Sequence, residues 1–343
     1  MKAKIYCIAL LILGTMVPSI ASAQNMIDKQ GRKQGHWIKT DKDGSKIYEG
    51  NFKNDLEIDT FLYYYPTGKL RIRNIYTTPG KVCLHETYDE SGQLLAKGTY
   101  NQKNRDGQWL IYNEAGKLIK IATYRMGVKE GPQVIFTPEG DTAEVSHWVD
   151  NHREGRWWKR IGKQSYITGT FKKGMLDGKL YEYDEQGLKA SEGTYTNGVK
   201  NGKFDYFENG VLTISEKWAN GAFVERTILL TSDSKKYVNT NSIAYFATKG
   251  KEHSIVFFMD GSTLNCQESV ERIFDRAGME QFILVDKKNR IVSNKSCILG
   301  ITKDNEDRDI LQLEPKPSFM VFPDEDCMKM VKSLQRVDEL DKD

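Results

Sequence analysis

The sequence predicts a mainly-β protein: an elongated array of about eight 24-residue β-hairpin units, followed by a small α+β domain. Three observations predict it. Glycine recurs at a constant interval, an aromatic residue falls in register within every interval, and both excesses are confined to one stretch. Of the 29 Gly, 24 lie between Gly31 and Arg226, as do all 6 Trp. Glycine permits turns that other residues resist, and aromatic residues favour strands.

The first segment stands outside this plan. Lys2 and Lys4 precede an apolar run from Ile5 to Val17, and Ala21-Ser22-Ala23 follows Pro18. That order of charged, apolar and small residues is the pattern of a secretory signal peptide over residues 1–23, with cleavage expected near Ala23. The run is short for a bilayer span, and no later segment reads as one. The expected localisation is therefore exported, periplasmic or extracellular.

Residues 24–230 carry the array. Positions 35, 59, 83, 107, 131, 155, 178 and 202 mark the beat, with every step 24 residues except one of 23. Gly fills six of these anchors, and Asp59 and Cys83 fill the others. A second glycine mark follows most anchors by nine residues, as at Gly44, Gly68, Gly92, Gly116, Gly140 and Gly187. A third mark, 16 or 17 residues on, is aromatic in all eight units: Phe52, Tyr76, Tyr100, Tyr124, Trp148, Phe171, Tyr195 and Trp218. Each unit thus reads as two short strands and two turns. A lone hairpin is marginal, so stacking must supply each unit with its neighbours' side chains.

Strand alternation assigns two columns to opposite faces. Two residues past the anchor stand Trp37, Phe61, His85, Trp109, Gln133, Trp157, Leu180 and Phe204. Five past it stand Thr40, Tyr64, Tyr88, Tyr112, Phe136, Arg160, Tyr183 and Phe207. Either both columns are packing ladders, or one is an exposed binding strip. On the second reading the binding candidates are Trp37, Phe61, Trp109, Trp157 and Phe204.

Two stretches carry a resemblance. Gly169-x-Phe171-x-x-Gly174-x-x-x-Gly178 and Gly193-x-Tyr195-x-x-Gly198-x-x-x-Gly202 resemble MORN repeats of the variant form common in bacterial proteins, and Tyr48-x-Gly50-x-Phe52 fits more loosely. The likeness covers about residues 31–226. It implies a hairpin sheet used for scaffolding or protein contact. Some bacterial relatives are labelled antitoxin components, which implies a toxin as partner.

The beat fails after Trp218. Residues 231–241 read as a linker, and residues 242–343 as a small α+β domain of no recognised family. Strands are expected at Ile243–Thr248, Ser254–Met259, Phe282–Val285, Arg290–Val292, Ser296–Thr302, Ile310–Leu313 and Phe319–Phe322. Helices are expected over Gln267–Ala277, ended by Gly278, and over Asp324–Val337. Cys266, Cys297 and Cys327 fall here and are disulfide candidates in an oxidising compartment, with the pairing open. Cys83 stands apart as a buried thiol.

Little else suggests chemistry. Lys+Arg number 50 and Asp+Glu 47, a net charge of +3 that argues against a nucleic-acid binder. No phosphate loop, nucleophile elbow or His-Glu-x-x-His motif occurs. The His147-Trp148-Val149-Asp150-Asn151-His152-Arg153-Glu154 run has metal-ligand residue types, but it lies across an inter-unit turn. No catalytic residue, metal or cofactor is assigned. The sequence reads as an exported, non-enzymatic scaffold that binds a protein partner through an aromatic sheet surface. Its rivals are a cell-wall glycan-binding module, an antitoxin-like partner, and an enzyme with a site near Cys266 or Cys327.

Overall fold

The computed structural model describes residues 24–315, 317 and 320–340, the last eight as backbone. Residues 1–23, expected from sequence to be a signal peptide, lie outside the described residues. The protein is mainly β, with a hairpin sheet of 21 antiparallel strands and a few helices near the C-terminus.

One unit shows the local rules. Strand Asn104–Tyr112 pairs with Leu118–Arg125 from Gly107↔Tyr124 to Tyr112↔Leu118. Between them, the Gly116 amide donates to the Asn113 carbonyl at 2.9 Å, and Gly116 sits at φ 75°. The Asn113 side chain accepts from the amides of Ala115 and Lys117, at 3.0 and 2.9 Å. Asp41, Asp89 and Asp184 do the same in their units, so an Asp or Asn three residues before the second glycine mark closes the turn.

The link between units is a different turn. Two successive positive φ values occur at Asn54-Asp55, Gln102-Lys103, Met126-Gly127, Asp150-Asn151, Lys173-Gly174, Asn197-Gly198 and Asn220-Gly221. This is the signature of the type I′ hairpin turn, which matches the twist of paired strands. It also accounts for Asp150 and Asn151 in the candidate metal run. Four of these turns are tied to the chain just past the preceding turn: the amides of Gly127, Gly174, Gly198 and Gly221 donate to the carbonyls of Arg105, Arg153, Leu176 and Lys200, at 2.7 to 2.9 Å.

The anchors now have a reason. Gly35, Asp59, Gly107, Gly131, Gly155, Gly178 and Gly202 all have positive φ, from 54° to 107°. Register with the preceding strand shifts beside Asp59, Gly107 and Gly202, as a β-bulge requires. Asp tolerates this conformation better than most residues, which is why Asp59 can replace Gly. Cys83 cannot do so readily. Its strand, Val82–Tyr88, is 7 residues long where its neighbours have 9 and 8, and Cys83 pairs directly with Tyr100.

The chain divides into two compact units, one reaching Gly131 and including Phe136–Asp141, the other holding Pro132–Ile135 and the chain from Thr142 on. The second contains the later repeats and the C-terminal strands and helices. There, residues 231–241 are not a linker. Lys235–Asn239 is a strand paired with Ala222–Thr231, from Thr227↔Asn239 to Thr231↔Lys235. Its polar composition misled because its side chains stay largely exposed.

A five-stranded antiparallel sheet follows, in the order Thr263–Cys266, Ser254–Phe258, Ile243–Thr248, Ile291–Asn294, Phe282–Asp286. Ile228 and Leu230, from the last long repeat strand, join Phe246, Val256, Phe282 and helix α1 (Val270–Ala277) in one apolar cluster. A second cluster gathers Tyr245, Val285 and Ile291 with the hairpin Ile298–Lys303/Asp309–Leu313 and helix α2 (Glu325–Leu340). Helix α1 starts later than expected because Gln267 and Glu268 bond to Thr231. Of the expected strand at 319–322, Phe319 lies outside the described residues. Val321 packs in the second cluster without joining a ladder.

Candidate functional site: two faces of the repeat sheet

Alternation and register give the array a packed face and an open face. Of the five binding candidates, Phe61, Trp109 and Phe204 are 1%, 1% and 5% exposed. Trp37 and Trp157 are half-buried. Phe61, Trp109 and Phe204 therefore belong to the array's interior and cannot act as an exposed strip, while Trp37 and Trp157 keep part of their surface open.

The reason lies in a small residue on the preceding strand. A Cβ on Gly50 would stand 2.2 Å from the Phe61 ring, one on Gly98 2.4 Å from Trp109, and one on Gly193 2.1 Å from Phe204. The ring lies flat over bare backbone. Sequence reading missed this column, yet its signal was present: Gly50, Asn74, Gly98, Ala122, Ser146, Gly169 and Gly193 recur 14 or 15 residues past the anchors.

The aromatic third mark completes the packing. Edge-to-face pairs recur at Trp37–Phe52 (5.9 Å), Tyr100–Trp109 (4.8 Å), Trp157–Phe171 (5.5 Å) and Tyr195–Phe204 (5.4 Å). Each such pair contributes about 0.5–1.5 kcal/mol beyond burial. Cations then cover the rings. Lys33 lies 4.8 Å from the Trp37 ring and 4.7 Å from Phe52, Arg105 4.6 Å from Trp109, and Lys200 4.7 Å from Phe204. These cations sit two residues before their anchors, a second column that sequence reading missed. In the second unit the same position is Glu57, which instead accepts hydrogen bonds from the Tyr63 and Tyr76 hydroxyls.

His85 fills a ring position with a polar ring. It lies 4.9 Å from Tyr100 and 5.6 Å from Trp109, with Nδ1 2.7 Å from Asn74 Oδ1 and Nε2 2.7 Å from Thr87 Oγ1. Burial and the nearby Arg105 charge push its pKa below 6.5, against the pull of Glu86.

The last repeat departs from the pattern. Glu216 stands where a small residue is expected, opposite Phe204. It accepts from Arg226 at 2.6 Å, from the Trp218 indole at 2.9 Å and from the Tyr206 hydroxyl at 3.1 Å. Burial opposes its charge, yet these donors hold its pKa below the usual carboxylate value. Arg226 also donates to the Ala277 carbonyl at the C-terminal end of helix α1, 2.7 Å away, where the helix dipole favours a cation. The final repeat is thereby tied to the C-terminal fold.

The open face keeps its aromatics half-exposed. In the first compact unit these are Tyr64, Tyr88 and Tyr112, with Lys46 5.1 Å from the Tyr64 ring. In the second, Trp158 and Tyr166 lie 5.8 Å apart, and Tyr166 stacks on Tyr183 at 4.6 Å. Lys189 covers Tyr181 and Phe207 at 5.5 and 5.6 Å.

Disulfide candidates Cys266, Cys297 and Cys327 are unpaired and buried, as is Cys83. Cys266 packs in the first apolar cluster, away from the other two in the second, and Cys297 Sγ contacts Met259 Sδ at 3.5 Å. Burial pushes Cys266 up to about 12 and Cys327 up to about 11, with Glu268 and Asp324 adding to the shift. Among the described residues, no three His, Cys, Asp or Glu side chains are placed to hold a metal ion. No helix among them is long and apolar enough to cross a membrane.

Hairpin spacing, turn chemistry and the paired faces define a β-hairpin repeat protein. A family model described as MORN repeat variant matches residues 84–102 and 105–126, and the chain carries MORN repeats of that type. No curated protein matches the chain. A solved structure titled "Crystal Structure of TcdB2-TccC3-TEV" is similar at 13% identity and a TM-score of 0.17. That match covers 64% of this chain and only 14% of the other.

Proposed function

We propose that this chain is an exported, non-enzymatic scaffold that holds a protein partner on the open face of its repeat array. The observation that carries the reading is the division between faces. In the first compact unit Phe61 and Trp109 are consumed by packing over Gly50 and Gly98, while Tyr64, Tyr88 and Tyr112 stay half-exposed at another repeat position. Half-exposed rings on a rigid sheet give large contact area with little side-chain ordering on binding. The signal-peptide pattern of residues 1–23 supports export. Burial raises the Cys266 and Cys327 thiols, which disfavours a thiolate nucleophile at either position.

The test replaces Tyr64, Tyr88 and Tyr112 together with Ser. A polypeptide that co-purifies with the wild-type chain from its native envelope, and is lost with the triple variant at unchanged circular dichroism, is the expected result. Retention of the same polypeptide by the variant sinks the reading. Export is checked separately by fusing residues 1–30 to a reporter that is active only outside the cytoplasm.

A further inference from the structure

We infer that the open face of the later repeats carries a binding row for a linear anionic polysaccharide with one acidic group per disaccharide. The row lies one residue past the anchors. Arg156 pairs across the sheet with Thr170, Lys179 with Thr194, and Lys203 with Lys217. All four cations are exposed, with the Lys203 and Lys217 side chains each 64% accessible. Successive repeats place Arg156, Lys179 and Lys203 two strands apart, a spacing of about 9.6 Å.

Charge balance favours an anion. Lys203 bonds Asp205 at 2.8 Å and Lys217 approaches Glu225 at 3.9 Å, whereas Arg156 and Lys179 form no ion pair among the described residues. The Lys217–Glu225 pair is exposed on both sides and exchanges readily for a ligand carboxylate, whereas Lys203 is shared with the buried Asp205, so Arg156 and Lys179 carry the uncompensated charge. Two residues further along the same strands, on the same face, stand Trp158 and Tyr181, half-exposed rings on which a sugar can stack. The earlier repeats lack the row, since the equivalent positions are His36, Thr60, Leu84 and Gln108. A regular one-dimensional series of charges matches a regular polymer better than the irregular surface of a folded acidic protein. The inference rests on charge and spacing and not on the protein-binding reading, so either can fail alone.

The probe is hyaluronan, which carries one carboxylate per disaccharide, compared with neutral dextran and poly-glutamate on the purified full chain. Hyaluronan is expected to bind and to weaken steeply with added salt. The combined change Arg156→Glu, Lys179→Glu, Lys203→Glu is expected to lower affinity at least tenfold. Gln at all three positions should also weaken it, at unchanged melting temperature. Control changes Lys42→Glu and Lys69→Glu in the earlier repeats should leave it intact. No binding to hyaluronan, or equal loss in the control, overturns the inference. Poly-glutamate bound as tightly as hyaluronan overturns it too, and assigns the row to an acidic protein.

Discussion

The repeat array and the C-terminal domain solve the burial problem differently. The C-terminal sheet packs against apolar partners in two clusters, so Ile243, Phe246, Val256, Val285 and Val292 reach 0% exposure. The array has one sheet and must build an interior from its own side chains. It does so with large rings laid over glycine and roofed by cations, and only a few of its rings are fully buried. Aliphatic packing spreads over many neighbours, whereas a ring over glycine involves a fixed pair. The domain should therefore lose structure as a whole and the array piece by piece.

The largest expected effect tests that contrast directly. Phe246→Ala in the domain and Trp109→Ala in the array should each cost about 3–5 kcal/mol. Hydrogen exchange separates them. Phe246→Ala should deprotect both apolar clusters, including Ile228 and Leu230. Trp109→Ala should deprotect Leu94–Asn101, Asn104–Tyr112 and Leu118–Arg125 and spare more distant repeats. Uniform deprotection by both changes would break the comparison.

Next in size is Gly193→Val, expected to cost about 1–3 kcal/mol by forcing Phe204 off its seat. Adding Phe204→Leu should restore part of the loss. Leu180 already sits over Gly169, where a Cβ would stand 3.1 Å from the nearest leucine methyl and so have more room than under a ring. No recovery in the double variant would mean that the glycine serves the backbone and not the ring.

Arg105→Met should cost about 0.5–2 kcal/mol, as the charge above Trp109 is lost while the stem is kept. A change that scales with salt for the wild type and vanishes in the variant identifies the electrostatic part.

The smallest effect concerns His85. Its folded pKa lies below 6.5, so between the two values the unfolded chain takes up a proton that the folded chain refuses. Array stability should thus be complete above pH 6.5 and fall as pH is lowered through this window. His85→Phe should flatten that slope in thermal melts. An unchanged slope would place the titrating group elsewhere.

The array was legible because its turns are chemically specific. Positive φ favours Gly, Asn and Asp, and those residues recur visibly, although Gln102, Lys103, Met126 and Lys173 also adopt it. The fate of the two aromatic columns was not legible, since both are rich in rings and the small residues across the strand decide which rings are seated. Gly50, Gly98 and Gly193 held that information, but they look like ordinary turn punctuation until pairing is known. The strand Lys235–Asn239 was hidden for the opposite reason. Its stability comes from pairing with Ala222–Thr231, while its own side chains carry little pattern. Glu216 was likewise invisible as an end-mark, because its role depends on Arg226 and a helix end far along the chain.

The tie from four link turns back to the chain just past the preceding turn has a consequence for how such a chain is made. The acceptor carbonyls of Arg105, Arg153, Leu176 and Lys200 all precede their donors, by 21 or 22 residues. During synthesis every new hairpin emerges next to a template that is already complete, and no segment waits for a distant partner. Contacts of such low order allow rapid, vectorial folding. They also make the whole 24-residue unit, and not half of one, the step at which these donor and acceptor positions repeat.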